Sequence, residues 1–263
     1  MNKIDATFQK LRSEKSKAFI AYLTVGFPDL ETNLKLILEM ERRGVDIIEL
    51  GVPFSDPIAD GLTIQASSQA ALEQGTTPGD ALRLASEIRS RSSLPLVLMG
   101  YLNPFLSHPP ERLAGELSRA GIDGVIIPDL PPEESDFILD PLKEQGIHTI
   151  SLLAPTSGIE RIKLVSRKSG GFIYYVSRTG VTGARKDLSK GLVERIIEIK
   201  KLANLPVCVG FGISTRSQLL KIWEVADGVV IGSALIRPFL ESSTASGGLK
   251  KSIQVLDRLL GND

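Results

Sequence analysis

Cysteine is almost absent from this chain. Cys208 stands alone in 263 residues, so no disulfide can form within the chain. Its neighbours Leu205, Pro206, Val207 and Val209 mark it as a buried structural thiol. Histidine is nearly as scarce: His108 precedes Pro109 and His148 opens a candidate strand, and neither has a close partner or the spacing of a metal ligand. Neither charge sign is in excess. Lys and Arg total 31, as do Asp and Glu, which leaves no field to draw in a nucleic-acid backbone or an anionic membrane. No apolar block approaches a signal core or a membrane span, so a cytoplasmic location is expected. No linker, repeat or low-complexity tract divides the chain, and residues 1–263 are expected to form one domain. No lysine ends a candidate strand either, which argues against Schiff-base chemistry.

What is present is a regular alternation. Short apolar runs recur at Ala18 to Val25, Val45 to Leu50, Leu96 to Met99, Gly124 to Ile127, Thr149 to Leu153, Phe172 to Val176, Val207 to Val209 and Gly228 to Ile231. Between them lie segments with helical spacing, such as Leu34, Ile37 and Leu38, or Leu192, Ile196 and Ile199, several of them stopped by Gly44, Gly121 or Gly146. Strands alternating with amphipathic helices imply right-handed parallel crossovers. Eight such units in a chain of this length favour a closed (β/α)8 TIM barrel over an open sheet. Extra helices are expected at Lys3 to Leu11, Leu62 to Glu73 and Gly248 to Leu260, with Glu241 to Gly248 as a surface loop.

In a barrel the chemistry sits where strands end, at their C-terminal face. The second run ends in Glu49, flanked by Ile47, Ile48 and Leu50, and counting alternately puts Ile48 and Leu50 toward the helices and Glu49 into the barrel mouth. A carboxyl there is held at low dielectric, which raises its pKa and lets it donate as well as accept a proton. Asp60 follows on a Pro-punctuated loop, with Asp56 as a competitor and helix capping as a plainer role for either. Asp129, after Ile126-Ile127-Pro128, either binds polar groups of a substrate or starts the next helical turn.

Three glycine-bearing segments follow the later strands: Ser177 to Gly183, Gly210-Phe211-Gly212-Ile213-Ser214, and Gly232-Ser233. Glycine lets a backbone approach an anion closely, and a helix start offers unpaired N–H groups with a favourable dipole. A recurrent barrel phosphate site lies after the seventh and eighth strands. Gly183, Phe211, Gly212, Gly232 and Ser233 are therefore the candidate phosphate-binding residues.

Taken together, Glu49-Leu50-Gly51-Val52-Pro53-Phe54-Ser55-Asp56-Pro57, Ala59-Asp60-Gly61, Tyr101 to Pro104, Pro128-Asp129-Leu130-Pro131, Ser177 to Gly183 and Gly210 to Ser214 closely resemble the tryptophan synthase alpha subunit family, nearly end to end. The resemblance implies a lyase of tryptophan biosynthesis that cleaves indole-3-glycerol phosphate by retro-aldol chemistry to indole and glyceraldehyde 3-phosphate. It implies a beta-subunit partner in an alpha2-beta2 heterotetramer. It assigns Glu49 to proton transfer at the indole C3 and the substrate hydroxyl, and Asp60 to the indole N–H. Tyr22, Tyr101, Asp129, Tyr175 and Thr182 become the candidate substrate-contacting residues, with Thr182 on a loop that closes over Asp60. Protonating C3 makes the substrate its own electron sink, so no cofactor and no metal are expected. Two positions depart from the family pattern: Leu62 stands where Pro often follows Ala-Asp-Gly, and Tyr22 where Phe is common. The competing readings are a catalytically weak regulatory subunit that activates its beta partner, and a related barrel isomerase or synthase acting on a phosphorylated sugar or indole precursor.

Overall fold

A computed structural model of the chain describes residues 1–176, 190–210 and 212–262. Among the described residues nine strands are all paired in parallel: β1 Ala18–Thr24, β2 Ile47–Gly51, β3 Leu96–Met99, β4 Gly124–Ile126, β5 His148–Thr149, β6 Leu152–Leu153, β7 Ile173–Val176, β8 Val207–Gly210 and β9 Gly228–Ile231. Their order is β5-β4-β3-β2-β1-β9-β8-β7-β6. The two edges of that sheet belong to one bent segment. Ile150 N donates to Val125 O at 2.9 Å on one side and Tyr174 N donates to Ser151 O at 3.1 Å on the other, which joins the edges into a ring. The run expected as one strand, Thr149 to Leu153, is thus split in two, because the chain changes neighbours at Ile150 and Ser151. The result is the expected (β/α)8 barrel, with the fifth stave bent.

Side chains of the strands divide by parity. Phe19, Ala21, Leu23, Ile48, Leu50, Leu98 and Val209 pack outward against the helices, while Ile20, Tyr22, Ile47, Val97, Ile126, Tyr174, Cys208 and Val230 fill the interior. Strands buried on both faces tolerate few polar side chains, which is why every residue of β1 and β2 is buried. The Lys3–Ser13 helix closes the floor with Ile4, Phe8 and Leu11. Its Asp5 meets His148 Nε2 at 2.7 Å, so His148 does have a close partner, one that sequence distance concealed.

Three aspartates stand one residue before a strand and accept an N–H from the start of the neighbouring strand, its first residue in two cases and its second in the other. Asp46 Oδ2 accepts from Phe19 N at 2.8 Å, Asp123 Oδ2 from Leu96 N at 2.9 Å, and Asp227 Oδ2 from Val207 N at 3.0 Å. Asp123 is paired with Arg89 and Asp227 with Lys200, each at 2.7 Å. Burial pushes the Asp46 carboxyl up to about 6, against the pull of its Phe19 hydrogen bond and of Lys10.

The second crossover carries two helices, Leu62–Glu73 and then Pro78–Arg89. The latter starts on a reciprocal cap, Thr77 accepting from Asp80 N while Asp80 accepts from Thr77 N. The last helix begins at Ala245 rather than Gly248, because the Thr244 hydroxyl accepts from Gly247 N at 3.1 Å and caps it early. Among the described residues no helix is long and apolar enough to cross a membrane.

Candidate active site

A cavity of about 420 Å³ opens at the C-terminal ends of the strands. Its lining includes Tyr22, Glu49, Asp60, Tyr174, Gly212, Gly232 and Ser233. Glu49, Asp60, Tyr22 and three of the five phosphate candidates therefore converge on one space, although they lie up to 211 positions apart in sequence.

Glu49 is 1% exposed, and its Oε2 has no hydrogen-bond partner. The parity of β2 aims the side chain inward, in register with Tyr22 on β1 and Val97 on β3. Burial, and secondarily the nearby Asp60 charge, push its carboxyl up to about 8. Such a group is neutral near neutrality and holds a transferable proton.

Asp60 is positioned by its loop. Its N–H donates to Pro57 O at 3.0 Å, and its carbonyl accepts from Gln65 Nε2 at 2.9 Å. Tyr101 Oη donates to Asp60 Oδ2 at 3.1 Å and accepts from Ala59 N at 2.9 Å, while the Tyr101 ring stacks on Phe54 with centroids 5.0 Å apart. Burial raises the Asp60 carboxyl to about 6, and the Tyr101 hydrogen bond acts in the opposite direction. The helix beginning at Leu62 takes no side-chain cap, so capping does not explain Asp60. Asp56 is exposed and accepts from Ser55 Oγ at 2.6 Å, away from the cavity.

Three expected substrate contacts are placed elsewhere. Tyr101 stands behind Asp60 rather than among the residues lining the cavity. Asp129 is exposed, and its Oδ1 accepts from Leu102 N at 2.9 Å, so it fixes the segment after β3 instead of meeting the cavity. Tyr175 is 2% exposed in the layer between strands and helices, and its outward parity rules out a contact with the cavity. Its neighbour Tyr174 takes the inward position, with its hydroxyl pushed well above the ordinary range by burial and then by Glu49 and Asp60. Two adjacent tyrosines hide which one points in; the readable signal was Phe172, Tyr174 and Val176 alternating with Ile173 and Tyr175. Thr182, Gly183 and Phe211 lie outside the described residues.

Glycine makes room for the two inward tyrosines. A Cβ at Gly51 would lie 2.0 Å from Tyr22 Oη, and one at Gly232 would lie 3.0 Å from the same ring. On the other side, a Cβ at Gly210 would lie 2.2 Å from Tyr174 Oη. Gly212 takes φ +72°, a left-handed conformation suited to glycine. Ser233 begins the Ser233–Leu240 helix, whose first N–H groups have no partner within the helix. Sequence reasoning missed Arg161, which lines the rim and donates from Nη1 to Glu133 Oε2 at 2.7 Å. Among the described residues no group of three or more His, Cys, Asp or Glu is arranged to hold a metal ion.

Comparison with known proteins bears on the same chain. A family model described as tryptophan synthase alpha chain matches residues 8–259. The tryptophan synthase alpha chain of Geotalea daltonii is 49% identical over 92% of this chain and 92% of its own length. That of Geobacter sulfurreducens is 44% identical over all of both chains. A crystal structure of tryptophan synthase subunit alpha from Legionella pneumophila superposes with a TM-score of 0.92 at 34% identity, covering 99% of this chain and 98% of the other. A chain from the tryptophan synthase a2b2 complex of Pyrococcus furiosus gives a TM-score of 0.88 at 36% identity, over 93% and 98%.

Proposed function

The chain belongs to the tryptophan synthase alpha chain family, and from that premise we propose how its residues cleave indole-3-glycerol phosphate to indole and glyceraldehyde 3-phosphate. What carries the reading is a pair of carboxyls in one cavity whose pKa values, about 8 and about 6, lie on either side of neutrality. Environments that separate two titratable groups in this way assign one as acid and the other as base.

Glu49 enters protonated and gives its proton to the indole C3, while Asp60 enters ionised and takes the N–H proton. The product of this exchange is an indolenine. The Glu49 carboxylate then removes the hydroxyl proton of the adjacent side-chain carbon. Electrons of that O–H form the aldehyde, the bond to C3 breaks, its pair restores the ring double bond, and the ring nitrogen recovers its proton from Asp60. Atoms and charge balance with no electrophilic cofactor. A positioned acid–base group supplies about 10² to 10⁴ in rate.

Gly212, Gly232 and Ser233 hold the phosphate through main-chain N–H groups. Binding energy of this remote group is then used to orient the reacting atoms. Tyr22 and Tyr174 wall the ring, and Tyr101 holds Asp60 in place. Residues 1–263 act as one barrel in the cytoplasm, and indole passes to a beta subunit in an alpha2-beta2 assembly.

The test is a paired assay. The isolated chain is incubated with indole-3-glycerol phosphate and then supplemented with beta subunit. Indole release that rises on addition of the partner is the expected result. No release under either condition would leave the chain a regulatory subunit.

A further inference from the structure

Six helices among the described residues end in the same turn, in which an N–H reaches back five positions: Ser16 to Leu11, Val45 to Met40, Thr76 to Ala71, Ile122 to Leu117, Ile147 to Leu142 and Asn262 to Asp257. The residue before the donor takes a left-handed conformation, which disfavours any Cβ. At five of the six that residue is glycine: Gly44, Gly75, Gly121, Gly146 and Gly261. The sixth is Lys15, at φ +54°. The turn gains nothing from lysine over glycine, so the side chain serves something other than the turn.

Lys15 lines a cavity of about 260 Å³ at the floor of the barrel, the end opposite Glu49. Phe8, Leu11 and Pro206 supply its apolar wall, and Arg12, Lys15 and Lys17 supply positive charge. The single carboxylate in the lining, Asp227, is already engaged by Lys200 at 2.7 Å, by Val207 N at 3.0 Å and by Lys17 at 3.7 Å. Among the described residues Arg12 and Lys15 have no ion-pair partner. A cavity with an apolar wall and uncompensated cations at one side matches a ring that carries an anionic group.

We propose that this floor cavity, built by Phe8, Leu11 and Pro206 with Arg12, Lys15 and Lys17, is a second binding site that takes a small aromatic carboxylate. The ring lies on the apolar wall and the carboxylate bridges the two unpaired cations. The site is separate from the chemistry at Glu49 and stands whether or not that chemistry is as described above.

The full-length chain is titrated with 1-naphthoate and followed by amide chemical shifts, with the uncharged 1-naphthylmethanol as comparison. Shifts centred on Arg12, Lys15, Ser16, Lys17, Val207 and Asp227 are expected, with naphthoate favoured over the alcohol. Arg12→Ala/Lys15→Gly should weaken naphthoate by at least about tenfold. Lys15→Gly alone should weaken it while leaving the melting temperature equal or higher, because glycine relieves the left-handed strain. Shifts confined to the surroundings of Glu49, Gly212 and Gly232, equal affinity for the alcohol, or unchanged affinity in the double variant would overturn the proposal. A lower melting temperature for Lys15→Gly would make the lysine structural and overturn it equally.

Discussion

Glu49→Gln is expected to make the protein inactive and more stable. In the folded chain Glu49 is fully buried and its carboxyl is raised to about 8, against the 4.5 of a free glutamate. Between those values the folded chain keeps a proton that the unfolded chain releases, so stability falls as pH rises, by about 1.4 kcal/mol per pH unit. Near pH 7 the accumulated cost of the buried acid is about 3 kcal/mol, an upper figure because the surroundings relax. Glutamine has nearly the same shape and does not titrate. Its variant should match the parent near pH 4.5 and gain on it steadily toward pH 8. Urea unfolding followed by circular dichroism across that range measures the difference, and indole release measures the activity. A stability difference that stays constant with pH, or a glutamine variant less stable than the parent near pH 7, would refute the account of Glu49 as a buried, protonated acid. Loss of substrate binding together with activity would recast Glu49 as a structural residue.

Tyr101→Phe removes the hydrogen bond that opposes the upward shift of Asp60; turnover should fall about tenfold, and the acid limb of the pH–rate profile should move to higher pH. Gly51→Ala places a Cβ 2.0 Å from Tyr22 Oη, so the ring must move into the cavity; a raised KM and a stability loss of about 1 to 3 kcal/mol are expected from kinetics and thermal melts. Asp46→Asn should stabilise the chain above pH 6 by about 1 kcal/mol after solvent screening, since burial raises this carboxyl from 3.8 to about 6 and its stability contribution is lost as pH rises through that window. Melting curves below pH 4 should then coincide with the parent. Tyr174→Phe should alter KM, whereas Tyr175→Phe should leave the kinetic constants unchanged, because only the first side chain lines the cavity; the reverse outcome would mean that the parity of β7 is wrong.

The sequence by itself determined the architecture and the inward placement of Glu49. Alternating apolar runs and helical spacings have local causes, burial on both faces of a parallel strand and one face of a helix, so a barrel could be read directly. Glu49 was legible because one carboxylate inside an apolar strand must be aimed somewhere, and parity aimed it inward. The family resemblance pointed to Tyr175 where two tyrosines adjoin, and a shift of one residue exchanges the two faces of a strand. That choice was made by the pairing of β7 with β6 and β8, which only the closed ring defines. Asp60 over Asp56, Tyr101 behind Asp60, Asp129 turned to Leu102 N and His148 held by Asp5 were likewise decided by tertiary contacts, the last across 143 positions. Hydrogen bonds between distant segments depend on where the chain returns, and periodicity carries no record of that.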